Sequence, residues 1–247
     1  MSDLFDLSGK VALVTGGSRG LGLQMVRAFA RAGADVVITS RKVDACEAAA
    51  AEVRGLGRRA LAYGCHVGHW DALQGLADAA YEAFGKVDIL VNNAGMSPLT
   101  PSSLETSEDL FDKVIGVNFK GPFRLTSLIG PRMVAGDGGS IISVSSTASI
   151  RPSPRFAPYA GAKAALNAIT IAFAQEYAPK VRVNAIMAGP FLTDISKAWD
   201  ERARRVAGNA LGRPGQPEEI VTAAMYLASP ASSFTTGSVI QVDGGTP

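Results

Sequence analysis

The sequence predicts an α/β fold, a parallel sheet with helices packed on both faces. Three observations predict it. Short β-branched runs alternate with helical patterns at the spacing of βαβ units. Strand candidates such as Ile89-Leu90-Val91 and Ile141-Ile142 are apolar at consecutive positions, which suits strands covered on both sides. The first strand runs directly into a glycine cluster that opens a helix, the arrangement that presents backbone N–H groups to an anion.

The elements follow in order. Residues 11–15 form a β-branched run and the first strand. Residues 20–33 read as a helix with Leu23, Val26, Phe29 and Ala30 on one face. A strand at 35–40 and an Ala-rich helix at 44–56 come next, then a strand at 59–63, a helix at 71–84 and a strand at 87–91. Helical patterns cover 107–117 and 119–135. A strand at 140–145, a helix at 159–177 and a strand at 181–187 follow. Pro217-Glu218-Glu219 opens a helix that runs to 228, and residues 238–242 form the last strand. Seven parallel strands result. Residues 188–215 are the least regular stretch. Within them, Asp200 to Arg205 reads equally as a solvated helical turn or as a lid over a ligand.

Composition bounds the class. The chain has 247 residues, 47% of them hydrophobic and 19% charged, which excludes a disordered or collagen-like chain. No repeat or linker divides it, so 1–247 is expected to form one domain. Lys and Arg number 24 and Asp and Glu 22, a net charge of +2. That balance lacks the clustered basic surface of a nucleic-acid binder. The two cysteines, Cys46 and Cys65, exclude a disulfide scaffold and suit a reducing compartment. The start, Met1-Ser2-Asp3-Leu4-Phe5-Asp6, is not a signal peptide, and no run reaches membrane-span length. A cytoplasmic protein without a membrane or nucleic-acid partner is expected.

The first strand–helix junction reads Thr15-Gly16-Gly17-Ser18-Arg19-Gly20-Leu21-Gly22. Gly16, Gly20 and Gly22 lack the Cβ that would block a sharp turn and the approach of a phosphate. A dinucleotide fold that binds a free 2′-hydroxyl usually places an acid about 20 residues onward. Here the second strand ends Thr39-Ser40-Arg41-Lys42, without an acid. A guanidinium binds a 2′-phosphate that a carboxylate would repel. Arg41, with Arg19 approaching from the glycine turn, therefore predicts NADP(H) in preference to NAD(H).

Tyr159 and Lys163 are spaced i, i+4, on one face of a helix. A nearby ammonium favours the phenolate and suits Tyr159 for acid–base work. Taken with the glycine turn, with Asn92-Asn93-Ala94-Gly95 after the fourth strand, with Asn118, and with Ser145-Ser146 at a strand end, the chain resembles the short-chain dehydrogenase/reductase family over essentially its whole length. The resemblance implies a Rossmann-like doubly wound domain that interconverts a small-molecule carbonyl and alcohol. Tyr159 would be the proton donor or acceptor. Lys163 would lower the Tyr159 pKa and hold the nicotinamide ribose. Ser146, 13 residues before Tyr159, would orient the substrate oxygen. Asn118 would kink its helix and hold a water that links Lys163 to solvent.

The same resemblance assigns the cofactor's backbone to Gly16, Ser18, Arg19, Gly20, Leu21 and Gly22, and its adenosine half to Ser40, Arg41, His66, Val67, Asn92, Ala94 and Gly95. Phe191 and Thr193 fall to the nicotinamide carboxamide, and Gly189 to the cofactor site where the substrate loop, 188–215, begins. A homotetramer is the family expectation.

Two departures stand out. His66-Val67 replaces an Asp-Val pair, and a neutral imidazole would have to accept the adenine amino hydrogen bond. Ala188-Gly189-Pro190 displaces the usual Pro-Gly. Arg151 and Arg155 either meet an anionic substrate or are solvated loop residues. Cys65, His66 and His69 lack the spacing of a structural zinc site. Both histidines precede every candidate serine, and no Gly-x-Ser-x-Gly elbow is present, which disfavours a serine hydrolase. The remaining alternatives are a cofactor-binding sensor without turnover and, more weakly, an epimerase or dehydratase, whose relatives tend to carry a longer C-terminal substrate domain.

Overall fold

The computed structural model describes residues 4–194, 196 and 208–247. Its centre is a seven-stranded sheet ordered β3-β2-β1-β4-β5-β6-β7. The strands are β1 (Val11–Thr15), β2 (Asp35–Ser40), β3 (Ala60–Gly64), β4 (Ile89–Asn92), β5 (Gly139–Ser146), β6 (Val181–Ala188) and β7 (Val239–Val242). Every pairing is parallel. All seven strands read from the sequence form, within one or two residues at their ends.

Two apolar layers account for the unbroken hydrophobic runs. On one face α1 (Gly20–Arg31), α2 (Val43–Gly55) and α7 (Val221–Ala228) bury Phe29, Val53 and Leu227 against Val14, Ile38 and Ile186. On the other, α3 (Ala72–Phe84), α5 (Gly121–Ala135) and α6 (Ala157–Glu176) bury Leu76, Ile129 and Phe173 against Leu13, Leu90 and Val183. Consecutive strand residues point to opposite faces, so Leu13 and Val14 each need a different layer. The α1 stripe centres on Met25, Val26, Phe29 and Ala30, and Leu23 is only partly buried.

Local chemistry fixes several ends. Ser107 caps α4 (Glu108–Ile115), accepting from the Leu110 N–H at 3.2 Å. Gln216 and Glu219 form a reciprocal capping box with Pro217 at the first helical position, before α7. The two helical patterns around Asn118 are one helix in space, because a π segment, Gly116–Lys120, joins α4 to α5. The α6 helix starts at Ala157, two residues before the sequence reading, with Pro158 in its first turn.

Strand order reverses between β1 and β4, and the carboxyl ends on either side of that reversal open a crevice where ligands of such sheets bind. Residues 208–215 close one end of it. Ala210 and Leu211 N–H groups donate to Gly245 and Gly244 carbonyls at 2.9 and 3.0 Å, and Gly215 bridges to Phe191. The charged stretch 200–205 lies outside the described residues.

Candidate active site

The carboxyl ends of the strands enclose a cavity of about 670 Å³. The glycine turn forms one wall. Gly16 has φ 65° and Gly20 φ 54°, backbone that non-glycine residues rarely adopt. A Cβ on Gly22 would overlap the Gly16 carbonyl oxygen and lie 2.5 Å from Asn93 Nδ2. Gly22 therefore lets α1 start tightly against the turn, while Gly16, Ser18, Arg19, Gly20 and Leu21 line the cavity itself. The positive end of the α1 dipole faces the same space.

Asn93 and Thr15 hold this wall to β4. Asn93 Nδ2 donates to the Thr15 and Gly16 carbonyls at 2.8 and 3.2 Å. Thr15 Oγ1 accepts from the Asn93 and Ala94 N–H groups at 3.0 Å. Neither residue stood among the candidates. Asn93 was within reach as part of the Asn92-Asn93-Ala94-Gly95 motif. Thr15 carries no sequence signal, because a threonine ending a strand is ordinary. Asn92 differs from its expectation. Its side chain is buried and donates to Thr126 Oγ1 at 3.0 Å, so it ties β4 to α5, and Asn93, Ala94 and Gly95 face the cavity. Strand alternation sends the last β4 side chain into the layer beneath.

At the β2–β3 end lie Ser40, Arg41, Cys65, His66 and Val67. Arg41 is exposed, and no ion pair engages it among the described residues. Arg19 Nη1 donates to Asp194 Oδ2 at 2.9 Å, which links the glycine turn to the loop after β6. His66 stacks on His69 with ring centroids 4.5 Å apart. Its Nδ1 accepts the Gly68 N–H at 3.1 Å, and burial, His69 and Arg41 hold its pKa below the usual histidine value. A neutral ring whose Nδ1 accepts must carry its proton on Nε2. The expectation that His66 accepts a hydrogen bond from adenine is therefore corrected, because the nitrogen left to the cavity is a donor.

At the opposite end Ser146, Tyr159 and Lys163 converge. The Ser146 hydroxyl lies beside the Tyr159 hydroxyl, close enough to favour its phenolate, and accepts the Ala148 N–H at 3.2 Å. Ser145 is buried, with its hydroxyl directed to the Lys163 carbonyl at 3.4 Å. The two serines are neighbours on a strand, so only one can meet Tyr159. Lys163 Nζ donates to the Val144 carbonyl at 2.8 Å and lies 5.7 Å from the Tyr159 ring centroid.

Both titrating groups are shifted by burial. It raises Tyr159, with the neighbouring Ser146 hydroxyl opposing, and lowers Lys163 to about 8. Burial opposes the expected lowering of Tyr159 by Lys163, since desolvation drives each group toward its neutral form.

Asn118 sits in the π segment, completely buried. Its Nδ2 donates to Val114 and Met96 carbonyls, both at 2.9 Å, and its Oδ1 accepts the Met96 N–H at 3.2 Å. The first bond satisfies a carbonyl that the widened π turn releases. A Cβ on Gly95 would stand 3.0 Å from Asn118 Oδ1 and 3.8 Å from Lys163 Nζ. Glycine here leaves the space between those two groups open.

Gly189, Phe191 and Thr193 also line the cavity. The Phe191 ring is buried in the core layer and packs on Gly215, so its backbone is the part a ligand can address. Arg151 lines the cavity and its Nε donates to the Pro247 carbonyl, whereas Arg155 lies outside the lining. Among the described residues, no group of three or more His, Cys, Asp or Glu could hold a metal ion, and no helix is long and apolar enough to cross a membrane.

The open glycine positions, the α1 N-terminus and the cations at the β2 end fit a dinucleotide, and they define the class as a nucleotide-dependent oxidoreductase. Comparison with known proteins agrees. A family model described as enoyl-(acyl carrier protein) reductase matches residues 16–247. An uncharacterized oxidoreductase of Mycobacterium tuberculosis is 43% identical over 98% of this chain and 94% of its own. A short-chain type dehydrogenase/reductase from Mycobacterium marinum superposes with a TM-score of 0.93, at 37% identity over 99% of this chain and 98% of that one. A 7α-hydroxysteroid dehydrogenase complexed with NADH and 7-oxo glycochenodeoxycholic acid superposes with a TM-score of 0.94, at 34% identity over 100% and 97%. The chain belongs to the short-chain dehydrogenase/reductase family and is an NAD(P)-dependent enzyme acting on CH–OH groups.

Proposed function

We propose that the chain is an NADP(H)-dependent oxidoreductase that interconverts a small-molecule carbonyl and its alcohol, with Tyr159 as general acid and base. The convergence of Ser146 and Tyr159 beside the buried Lys163 carries the reading. When bound, the nicotinamide supplies or accepts the hydride. Tyr159 gives its phenolic proton to the carbonyl oxygen in reduction and takes it back in oxidation. Ser146 donates to the same oxygen and fixes it beside Tyr159. Lys163, anchored on Val144, holds the nicotinamide ribose and, as a cation, favours the phenolate that reduction leaves behind. Asn118 keeps the Met96 backbone in place and faces Lys163 across the gap at Gly95, where a water would return a proton from solvent.

At the other end, Arg41 and Arg19 take the 2′-phosphate, for which Arg19 leaves or shares Asp194. Residues 1–247 act as one cofactor domain with 188–215 as its substrate loop, in a homotetramer whose mass light scattering would report.

Turnover assays with NADPH and a panel of ketones and aldehydes test the reading. Consumption by the native protein that is lost in Tyr159→Phe, with NADPH still bound, supports it. Tight NADPH binding with no turnover of any substrate would instead favour a sensor.

A further inference from the structure

The proton on His66 decides which face of the purine ring this site can read. The reasoning rests on the cofactor orientation proposed above, with the nicotinamide at Tyr159. Dinucleotide folds place the adenosine ribose at the end of β2, here Ser40 and Arg41, so the purine lies beyond it among Cys65, His66 and Val67. His66 reaches this end of the cavity with its Nδ1 already committed to the Gly68 N–H at 3.1 Å. One ring face is covered by His69 at 4.5 Å, which sets the plane of the imidazole. The charged and titratable groups around it are Arg41 from the end of β2, His69 from its own loop and the adjacent Cys65 thiol. None of these is an anion at neutral pH, and burial, His69 and Arg41 outweigh the contact with its own backbone carbonyl that favours the imidazolium, so the ring stays neutral, and with Nδ1 accepting it carries its N–H on Nε2. Among the described residues no other residue hydrogen-bonds Nε2.

We propose that His66 is a specificity-determining residue that meets the purine as a hydrogen-bond donor, so that the site does not select the 6-amino group of adenine and accepts a 6-oxo purine dinucleotide equally well. A 6-amino group carries only N–H toward its partner, whereas N7 of either purine and a 6-oxo oxygen accept. An acceptor at position 66 would bond the amino group and repel the oxo oxygen. A donor that bonds N7, an acceptor in both purines, has no such preference, and it bonds the oxygen directly where the two meet.

Two near-isosteric substitutions separate the effect of polarity from that of shape. Both His66→Asn and His66→Asp offer a side-chain oxygen to the Gly68 N–H two residues on, a local turn that these residues favour, so the loop keeps its anchor. Asn still presents N–H groups to the purine, and Asp presents only acceptors. The probes are NADPH and its deaminated analogue, the reduced nicotinamide hypoxanthine dinucleotide phosphate, with binding read by nicotinamide fluorescence. The native protein and His66→Asn are expected to bind the two within about threefold of each other, and His66→Asp to favour the 6-amino form by about tenfold or more. A tenfold preference of the native protein for the amino form, or an unchanged ratio in His66→Asp, would overturn the proposal while leaving the cofactor reading intact. If neither probe binds, or if Arg41→Ala leaves NADPH affinity unchanged, the orientation itself fails and the proposal goes with it.

Discussion

Replacing Gly95 by alanine puts a methyl group between Asn118 and Lys163. Gly95 does not have the positive φ that excludes side chains, so alanine can adopt its backbone and the fold should hold. The methyl carbon would lie 3.0 Å from Asn118 Oδ1, tighter than an ordinary van der Waals contact, and 3.8 Å from Lys163 Nζ. A bridging water must come within about 3 Å of both groups, so methyl and water compete for one place. A hydrogen bond to a charged group contributes about 1.5–3 kcal/mol, which corresponds to a fall in kcat of roughly 10–150-fold if the proton returns by this route. The assay is steady-state NADPH consumption with the best substrate of the ketone panel, accompanied by NADPH affinity and thermal unfolding. Unchanged affinity and melting with kcat within about twofold of native would refute the reasoning.

Four further outcomes follow from the same geometry. Ser146→Ala should lose most turnover, about a hundredfold or more, while Ser145→Ala, whose hydroxyl faces the Lys163 carbonyl, should keep it; the reverse order in kcat would reassign the serine. Arg41→Ala should weaken NADPH binding by at least about tenfold and leave NADH binding nearly unchanged, as titration of both cofactors would read. Gly22→Ala collides with the Gly16 backbone, and should show a large drop in melting temperature together with loss of cofactor binding.

The fourth concerns Lys163, whose pKa falls from 10.5 to about 8 on burial. Between those values the unfolded chain holds the proton that the native state has released, so stability rises with pH across this window. Below pH 8 the buried ammonium costs on the order of 3 kcal/mol. Lys163→Met should therefore melt higher than the native protein at pH 7, and the difference should shrink steadily toward pH 10. A difference independent of pH would refute the assignment.

Much of this was legible in the chain because it depends on local pattern. The seven strands, the glycine turn and the i, i+4 spacing of Tyr159 and Lys163 are short-range facts, and βαβ alternation leaves few ways to arrange them. Fully apolar strands announced a sheet buried on both faces before any fold was known. The break at Asn118 was visible too, although the π segment that spans it was not, because its hydrogen bonds depend on Asn118 reaching both Val114 and Met96.

Tertiary structure decided what residue type and spacing leave open. Ser145 and Ser146 are chemically identical, and only the pleat of β5 against α6 gives Tyr159 to Ser146. Asn92 and Asn93 are likewise the same residue twice, and alternation sends the first to Thr126 and the second to the glycine turn. His66 had two possible tautomers until the Gly68 N–H took Nδ1. The Tyr159–Lys163 pair predicts a charge effect from sequence alone, yet burial dominates both groups in the folded cavity. Sequence fixes which groups are near along the chain, whereas hydrogen-bond direction and desolvation arise from contacts between segments far apart in it.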